Sequence, residues 1–457
     1  MWDFSATKLI EQYKSGVLSP VEVMTALLTR IDEVNPKINA LYEVDAAGAM
    51  AQAEASGARW KAGAPMGPLD GVPCVIKDSF AVKGMVMLRG LKARRDVAPD
   101  TKDCPPVARL REAGAIIFAK GTMPDMGFLG AGVNSANGVT RNPWDLSLNT
   151  GGSSAGPAAA VAAGLAPISV GSDVGGSVRL PATHCGLFAL KPTAGAIPHL
   201  PYSRDRAAGP ITRDVSDAIL MMSVLALPDA EAYEPGMDIP ATLTPADLKG
   251  KRIGLMLSLG DSDAPAPEVE ALIRKAAEVF KGLGADVTEM DNPVPFPFLE
   301  ALTSYFAVKA ASERAGLPED RRGDMLPILT RCCDKGDAMS ARDFAKALST
   351  VEKAALAVNR ATDAYDLVLA PTMPVANYPA EFTSADPEFP HRGVGFTALF
   401  NQTGQPAATV ACGFAGTSPV GLQVIGAKGE DAAILSACLA YEAARGPLKP
   451  FPQTVGE

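Results

Sequence analysis

At 457 residues, 47% hydrophobic and 20% charged, the chain has an ordinary globular composition and is long enough for one large domain or two. Its net charge of −9 argues against a broad nucleic-acid surface, which needs clustered lysine and arginine, and no run of roughly 18 apolar residues is present for a membrane span. Seven cysteines without paired spacing and three widely separated histidines argue against a zinc site or a disulfide framework, so neither metal nor cofactor is expected.

Residues 1–16 lack the apolar core and cleavage pattern of a secretory leader, which makes the cytoplasm the expected location. Residues 5–13 read as a short helix stopped by Gly16. The run Ser19-Pro20-Val21-Glu22 is a capping box with proline at the first helical position. The helix it starts puts Val21, Met24, Leu27, Leu28 and Ile31 on one face and is expected to end at Asn35-Pro36. A further alanine-rich helix covers 45–62. A turn at 68–71 leads into the β-branched run 72–76, a buried strand, with Lys77 directly after it. A strand-end lysine is ordinarily a surface residue. The short basic cluster Lys92, Arg94 and Arg95, followed by Asp96, reads as a solvated loop.

Residues 107–113 form a helix capped by Gly114, and 115–119 a strand. The same rhythm returns in a strand at 251–257, an amphipathic helix at 267–283 and strands at 285–289, 366–370 and 420–425, with a closing helix at 430–444. Alternating strands and helices imply an α/β architecture around a central sheet. The segment 231–360 differs in texture, proline-rich at first and then helical and charged. It is expected to be a mostly helical cap within one domain spanning 1–457, because strands resume after it.

The stretch from Asn149 to Thr193 concentrates the chemistry. It opens with Gly151-Gly152-Ser153-Ser154, runs through a small-residue helix at 155–163 stopped by Gly164, and delivers a second turn, Gly175-Gly176-Ser177. Glycine suits backbone that must come very close to another group. The lysine of a phosphate-binding Walker loop is missing, as are GxGxxG and GxSxG. His184, the only nearby histidine, sits in an apolar run and reads as core. What remains is serine activated by a lysine whose burial lowers its pKa, and Lys77 fits that description. The residues themselves do not establish which serine Lys77 would reach.

This segment resembles the amidase signature family, whose hallmark is a GGSS block followed by GxDxGGS[IV]RxPA, here residues 171–182. Gly71 to Asp78, Asn142-Pro143-Trp144-Asp145, Lys191-Pro192-Thr193 and the run 400–406 also look like the family, so the resemblance spans roughly 5–445. It implies the amidase-signature fold, a large mixed β-sheet covered by helices on both faces. It implies catalysis by Lys77, Ser153 and Ser177. Ser177 is the expected nucleophile, Ser153 the relay, held by a cis peptide after Gly152, and Lys77 the neutral base. The backbone N–H groups of Val174, Gly175, Gly176 and Ser177 are the expected oxyanion hole. Asp173 and Arg179 are expected to hold the loop rather than touch substrate.

Departures from the family pattern fall at 87–91, at Ala155 and at Ala196, and they leave the substrate open. Arg89, Met126 and Arg141 are the expected pocket rim. The implied partner is a small-molecule amide, with no nucleic acid or membrane and with a homodimer left open. The alternative is the glutaminase (A-type) subunit of a tRNA-dependent amidotransferase.

Overall fold

The computed structural model describes residues 2–455. Its strands, in chain order, are β1 (Leu41–Val44), β2 (Pro73–Lys77), β3 (Ile116–Gly121), β4 (Val133–Asn134), β5 (Gly138–Val139), β6 (Arg141–Asn142), β7 (Asp145–Asn149) and β8 (Ile168–Asp173). They continue with β9 (Phe188–Lys191), β10 (Ala207–Thr212), β11 (Arg252–Leu255), β12 (Asp286–Glu289), β13 (Leu367–Pro371), β14 (Ala407–Ala415) and β15 (Ser418–Ile425). Eleven of them form one sheet in the order β1-β3-β2-β8-β10-β9-β14-β15-β13-β11-β12. β2 runs parallel to both β3 and β8, and β11 runs parallel to β12 and β13. The other pairings are antiparallel, so the sheet is mixed.

Side chains on a strand alternate between its faces, and the buried clusters follow that alternation. Leu367 and Leu369 join one cluster with Val215, Ile219, Ile273, Phe280 and Tyr441, from helices on one side. Val368 and Ala370 join another with Leu302, Phe306, Val358 and Phe400, from helices on the other. The sheet is therefore covered on both faces, as the resemblance implied. Among the described residues, no helix is long and apolar enough to cross a membrane.

The capping box at Ser19 is present, with Ser19 Oγ accepting from Glu22 N and Glu22 accepting from Ser19 N. Two details of that helix differ from expectation. It continues through Pro36 to Ile38 and ends on Asn39, whose left-handed φ of 52° closes it. The buried stripe is Pro20, Val23, Met24, Leu27, Arg30, Ile31, Val34 and Ile38, rotated away from Val21 and Leu28. The period was right and the face was off by about one residue, because Arg30 lies on the buried side, donating to Ala163 O at 2.6 Å.

Strands β1, β8, β9, β10 and β14 carry no strong signal in the sequence. They are short or built from small residues, and β10 contains Gly209 and Pro210. Strand formation there follows from burial between neighbours rather than intrinsic preference. Pro210 is tolerated because only Ile211 and Thr212 of β10 pair with β9. Within 231–360, β11 and β12 belong to the sheet edge, joined by the helix Pro267–Gly282. The helices Leu299–Ala315, Pro327–Asp337 and Ala341–Thr362 then pack together over the other face, around Leu302, Leu329, Cys333 and Val351.

Candidate active site

The adjacent parallel strands β2 and β8 end side by side, β2 in Lys77 and β8 in Ser172 and Asp173. Open clefts beyond the carboxyl ends of parallel strands are favoured places for ligands. The turn 150–154 leads from β7 into the helix Ala155–Ala162, whose residues are all buried. Two backbone features mark this turn. The Gly152–Ser153 peptide is cis. A Cβ on Gly152 would lie 2.5 Å from Ala131 O and 2.6 Å from Ala131 N, so only glycine fits.

Lys77 is fully buried, and its Nζ lies 2.8 Å from Ser153 Oγ, 3.0 Å from Ser172 O and 3.0 Å from Ser172 Oγ. Ser172 Oγ is in turn 2.9 Å from Ser79 Oγ. Burial pushes the Lys77 amine well below its ordinary value, and the nearby Arg206 and Arg89 add to that, while Asp173 and Asp78 oppose it. Ser177 and Ser153 line the same cavity, and Ser154 N donates to Ser177 O at 3.0 Å, tying the two Gly-Gly-Ser turns together. Among the described residues no hydrogen bond joins the Ser153 and Ser177 hydroxyls. Such bonds often tighten only when substrate is bound.

The loop 174–178 is held from behind by Asp173. Its carboxylate accepts from Gly176 N at 2.7 Å, Val178 N at 3.1 Å, Arg179 Nε at 3.0 Å, Arg179 Nη2 at 2.9 Å and Asn401 Nδ2 at 3.0 Å. Burial alone would raise the Asp173 carboxyl, yet Arg179, with Lys191 and Asn401, holds it well below the usual carboxylate range. Arg179, also fully buried, donates further to Thr397 O, Gln423 Oε1 and Asn401 Oδ1 at 3.0, 2.7 and 2.7 Å. The Asp173–Arg179 pair thus fixes the loop, as the sequence suggested.

One expected role is corrected by this arrangement. The Gly176 N–H is already donated to Asp173 Oδ1, so it is not available to an oxyanion. Gly176 instead has φ 122°, with space that Thr397 Oγ1 would contest at 2.4 Å from a Cβ. The amides of Val174, Gly175 and Ser177 have no acceptor among the described residues, and all three residues line the cavity.

That cavity, of about 350 Å³, has an apolar side formed by Met123, Met126, Phe128, Leu129, Phe306 and Val394. Its polar side carries Arg89, Arg206, Lys309 and Glu313. Arg89 and Met126 are therefore at the pocket as expected. Arg141 is not: it pairs with Glu381 at 2.7 Å and donates to Leu146 O at 2.9 Å, outside the cavity wall. His184 is fully buried, without a hydrogen-bond partner on either ring nitrogen, edge-on to Tyr378 and pushed down to about 3 by burial. It is a neutral core residue, as its apolar run suggested.

Sequence reasoning missed Ser172, Ser79, Arg206 and Phe306. Ser172 lay inside the quoted glycine–serine motif and could have been found there. The other three stand in no motif, and only the fold brings them in.

The amidase family model matches residues 22–435. The chain is 34% identical over 460 residues to an acylamidase of Rhodococcus erythropolis, covering 96% of this chain and 95% of that protein. It is also 34% identical over 480 residues to the A-type subunit of the glutamyl-tRNA(Gln) amidotransferase of Roseiflexus castenholzii, covering 97% and 96%. Among solved structures, a bacterial aryl acylamidase of the amidase signature family matches with a TM-score of 0.90 at 28% identity, over 99% of this chain and 97% of that one.

Proposed function

The chain belongs to the amidase signature family and is an amide-hydrolysing enzyme, and from that premise we propose that it works through an acyl-enzyme on Ser177, with Ser153 and Lys77 carrying the proton. The observation that supports this most is the buried Lys77 Nζ, 2.8 Å from Ser153 Oγ. A neutral amine has two N–H donors and one lone pair. Ser172 O can only accept, so one N–H is directed there, and Ser172 Oγ accepts the other. The lone pair then faces the Ser153 hydroxyl and can take its proton.

Ser177 Oγ attacks the amide carbonyl and passes its proton to Ser153, while Ser153 gives its own to Lys77. The amides of Val174, Gly175 and Ser177 receive the oxyanion. As the tetrahedral adduct collapses, the C–N bond breaks and the proton returns through Ser153 to the departing nitrogen. Water, deprotonated by the same relay, then cleaves the Ser177 ester and releases the carboxylic acid. In this reading the chain is one domain. Its 231–360 segment supplies the variable side of the pocket through Phe306, Lys309 and Glu313.

Labelling with a fluorophosphonate tests the proposal. The reagent is expected on Ser177, and Ser177→Ala is expected to lose both labelling and turnover. Turnover retained in that variant would refute it.

A second reading has its own support in the 34% identity to an A-type amidotransferase subunit. It requires partner subunits and little activity from the chain alone. Gel filtration with an amide-release assay separates the two, since vigorous hydrolysis by the purified chain counts against the amidotransferase reading.

A further inference from the structure

The charged groups around the cavity are unequal in their partners. Arg89 is paired with Glu313 at 2.5 Å. Lys309 donates to both oxygens of Asp205 at 2.8 Å, and Tyr305 donates to Asp205 at 2.9 Å. Arg206 has no such partner. Among the described residues no carboxylate lies within ion-pair reach of it, and its guanidinium makes one hydrogen bond, to Ser79 O at 3.1 Å. The group sits 5.5 Å from the Phe80 ring and forms part of the cavity wall.

Arg206 is partly exposed, so its guanidinium is reached from the cavity it lines and is open to an anionic ligand there. Burial and the neighbouring Arg89 push Arg206 down to about 10, so it remains charged at neutral pH. Among the described residues the only carboxylate in the cavity wall, Glu313, is neutralised by Arg89. Among the described residues Arg206 is therefore the one cation of the cavity wall without an ion-pair partner, although Glu313 and Asp205 act on it from further away, and its planar fork fits a carboxylate with two parallel hydrogen bonds.

We propose that the amide this enzyme cleaves carries a carboxylate, which Arg206 binds while Ser177 attacks the amide carbonyl. The proposal rests on the acyl-enzyme reading of the same cavity. Ser79 joins the two regions, since its carbonyl holds Arg206 and its hydroxyl touches Ser172, the neighbour of Lys77. The carboxylate is thereby bound beside the catalytic amine, and Arg206 sets substrate choice.

Two matched pairs test this, one for each side of the scissile bond: glutaramate against glutaramide, and N-acetyl-4-aminobenzoate against N-acetyl-4-aminobenzamide. Each pair differs in a charge and hardly in shape. In at least one pair the charged member should protect Ser177 from fluorophosphonate at concentrations about 10- to 100-fold lower, and should show a correspondingly lower KM if turned over. Arg206→Gln should erase that ratio. Equal protection within both pairs of the wild-type enzyme overturns the proposal without any variant. So does a ratio that survives in Arg206→Gln. Equal slowing of charged and neutral members with a displaced pH–rate profile would make Arg206 only a tuner of Lys77. If the fluorophosphonate does not label Ser177 at all, the acyl-enzyme reading falls first and takes this one with it.

Discussion

Replacing Asp173 by asparagine should separate folding from catalysis. The carboxylate is fully buried and accepts five hydrogen bonds, from Gly176, Val178, Arg179 (two) and Asn401. Asparagine keeps the shape but removes the charge and turns an N–H₂ group toward donors. Breaking one partner of a buried ion pair costs about 3–5 kcal/mol, because the other charge is left uncompensated. For 457 residues at about 2.1 cal/mol/K each, the entropy of unfolding is about 1 kcal/mol/K. The melting temperature should thus fall by only about 3–5 °C, and the variant stays folded in an assay at 25 °C. The catalytic loss should be larger in proportion. Without the Asp173 clamp, the Val174, Gly175 and Ser177 amides are no longer held in one direction, and losing one such donor lowers kcat about 10²- to 10³-fold.

Acid should reveal the same group. The folded carboxyl lies below its unfolded value, so its stabilisation is present above about pH 3.9 and lost as pH falls through the folded value. Denaturant titrations between about pH 2 and 5 should give Asp173→Asn a flatter stability profile than the wild type. Wild-type kcat in the variant, or a stability loss under about 1 kcal/mol, would refute the reasoning.

Lys77 must be neutral to accept a proton, and burial lowers its pKa. The acid limb of the kcat/KM profile should therefore rise at a pH well below the ordinary lysine value of about 10.4. Lys77→Met should lower kcat by about 10²- to 10⁴-fold and remove that limb, and an unchanged profile would dismiss the lysine as base. His184→Leu nearly conserves volume and removes two buried ring nitrogens that have no partner. Its stability should change by less than about 1.5 kcal/mol, with kcat unaltered; a large loss of kcat would return the histidine to the mechanism.

The residues proposed for catalysis were legible because their signal is local. Lys77 follows a continuous apolar strand, and the two Gly-Gly-Ser turns stand within one short stretch. That Lys77 meets both Ser153 and Ser172 was not readable from those residues, since it depends on β2 and β8 lying side by side and on the turn 150–154 folding over their ends. The amides proposed to receive the oxyanion were legible as a loop but not one by one. The direction of the Gly176 N–H is decided by Asp173, and a sequence does not show where an amide points. The specificity side was illegible for a similar reason. Phe306, Lys309 and Glu313 come from one helix and Arg206 from the lead into β10, and no pattern in those segments marks them as neighbours. Strand β14 was hidden by its small residues and β9 by its length of four residues, and both take strand geometry between neighbours already in place.

The reach of Arg179 also sets a schedule. Its acceptors Thr397, Asn401 and Gln423 lie 218, 222 and 244 residues further along the chain. At about 5–20 residues per second, the ribosome adds the last of them roughly 12–50 s after Arg179 itself. Throughout that interval the nascent chain carries Lys77, Ser153 and Ser177 but not the complete far side of the clamp. The loop around Ser177 is completed only by the helix Gly395–Thr403 and by β15, so a chain ending before Thr397 would hold all three residues proposed for catalysis and lack the acceptors that anchor Arg179.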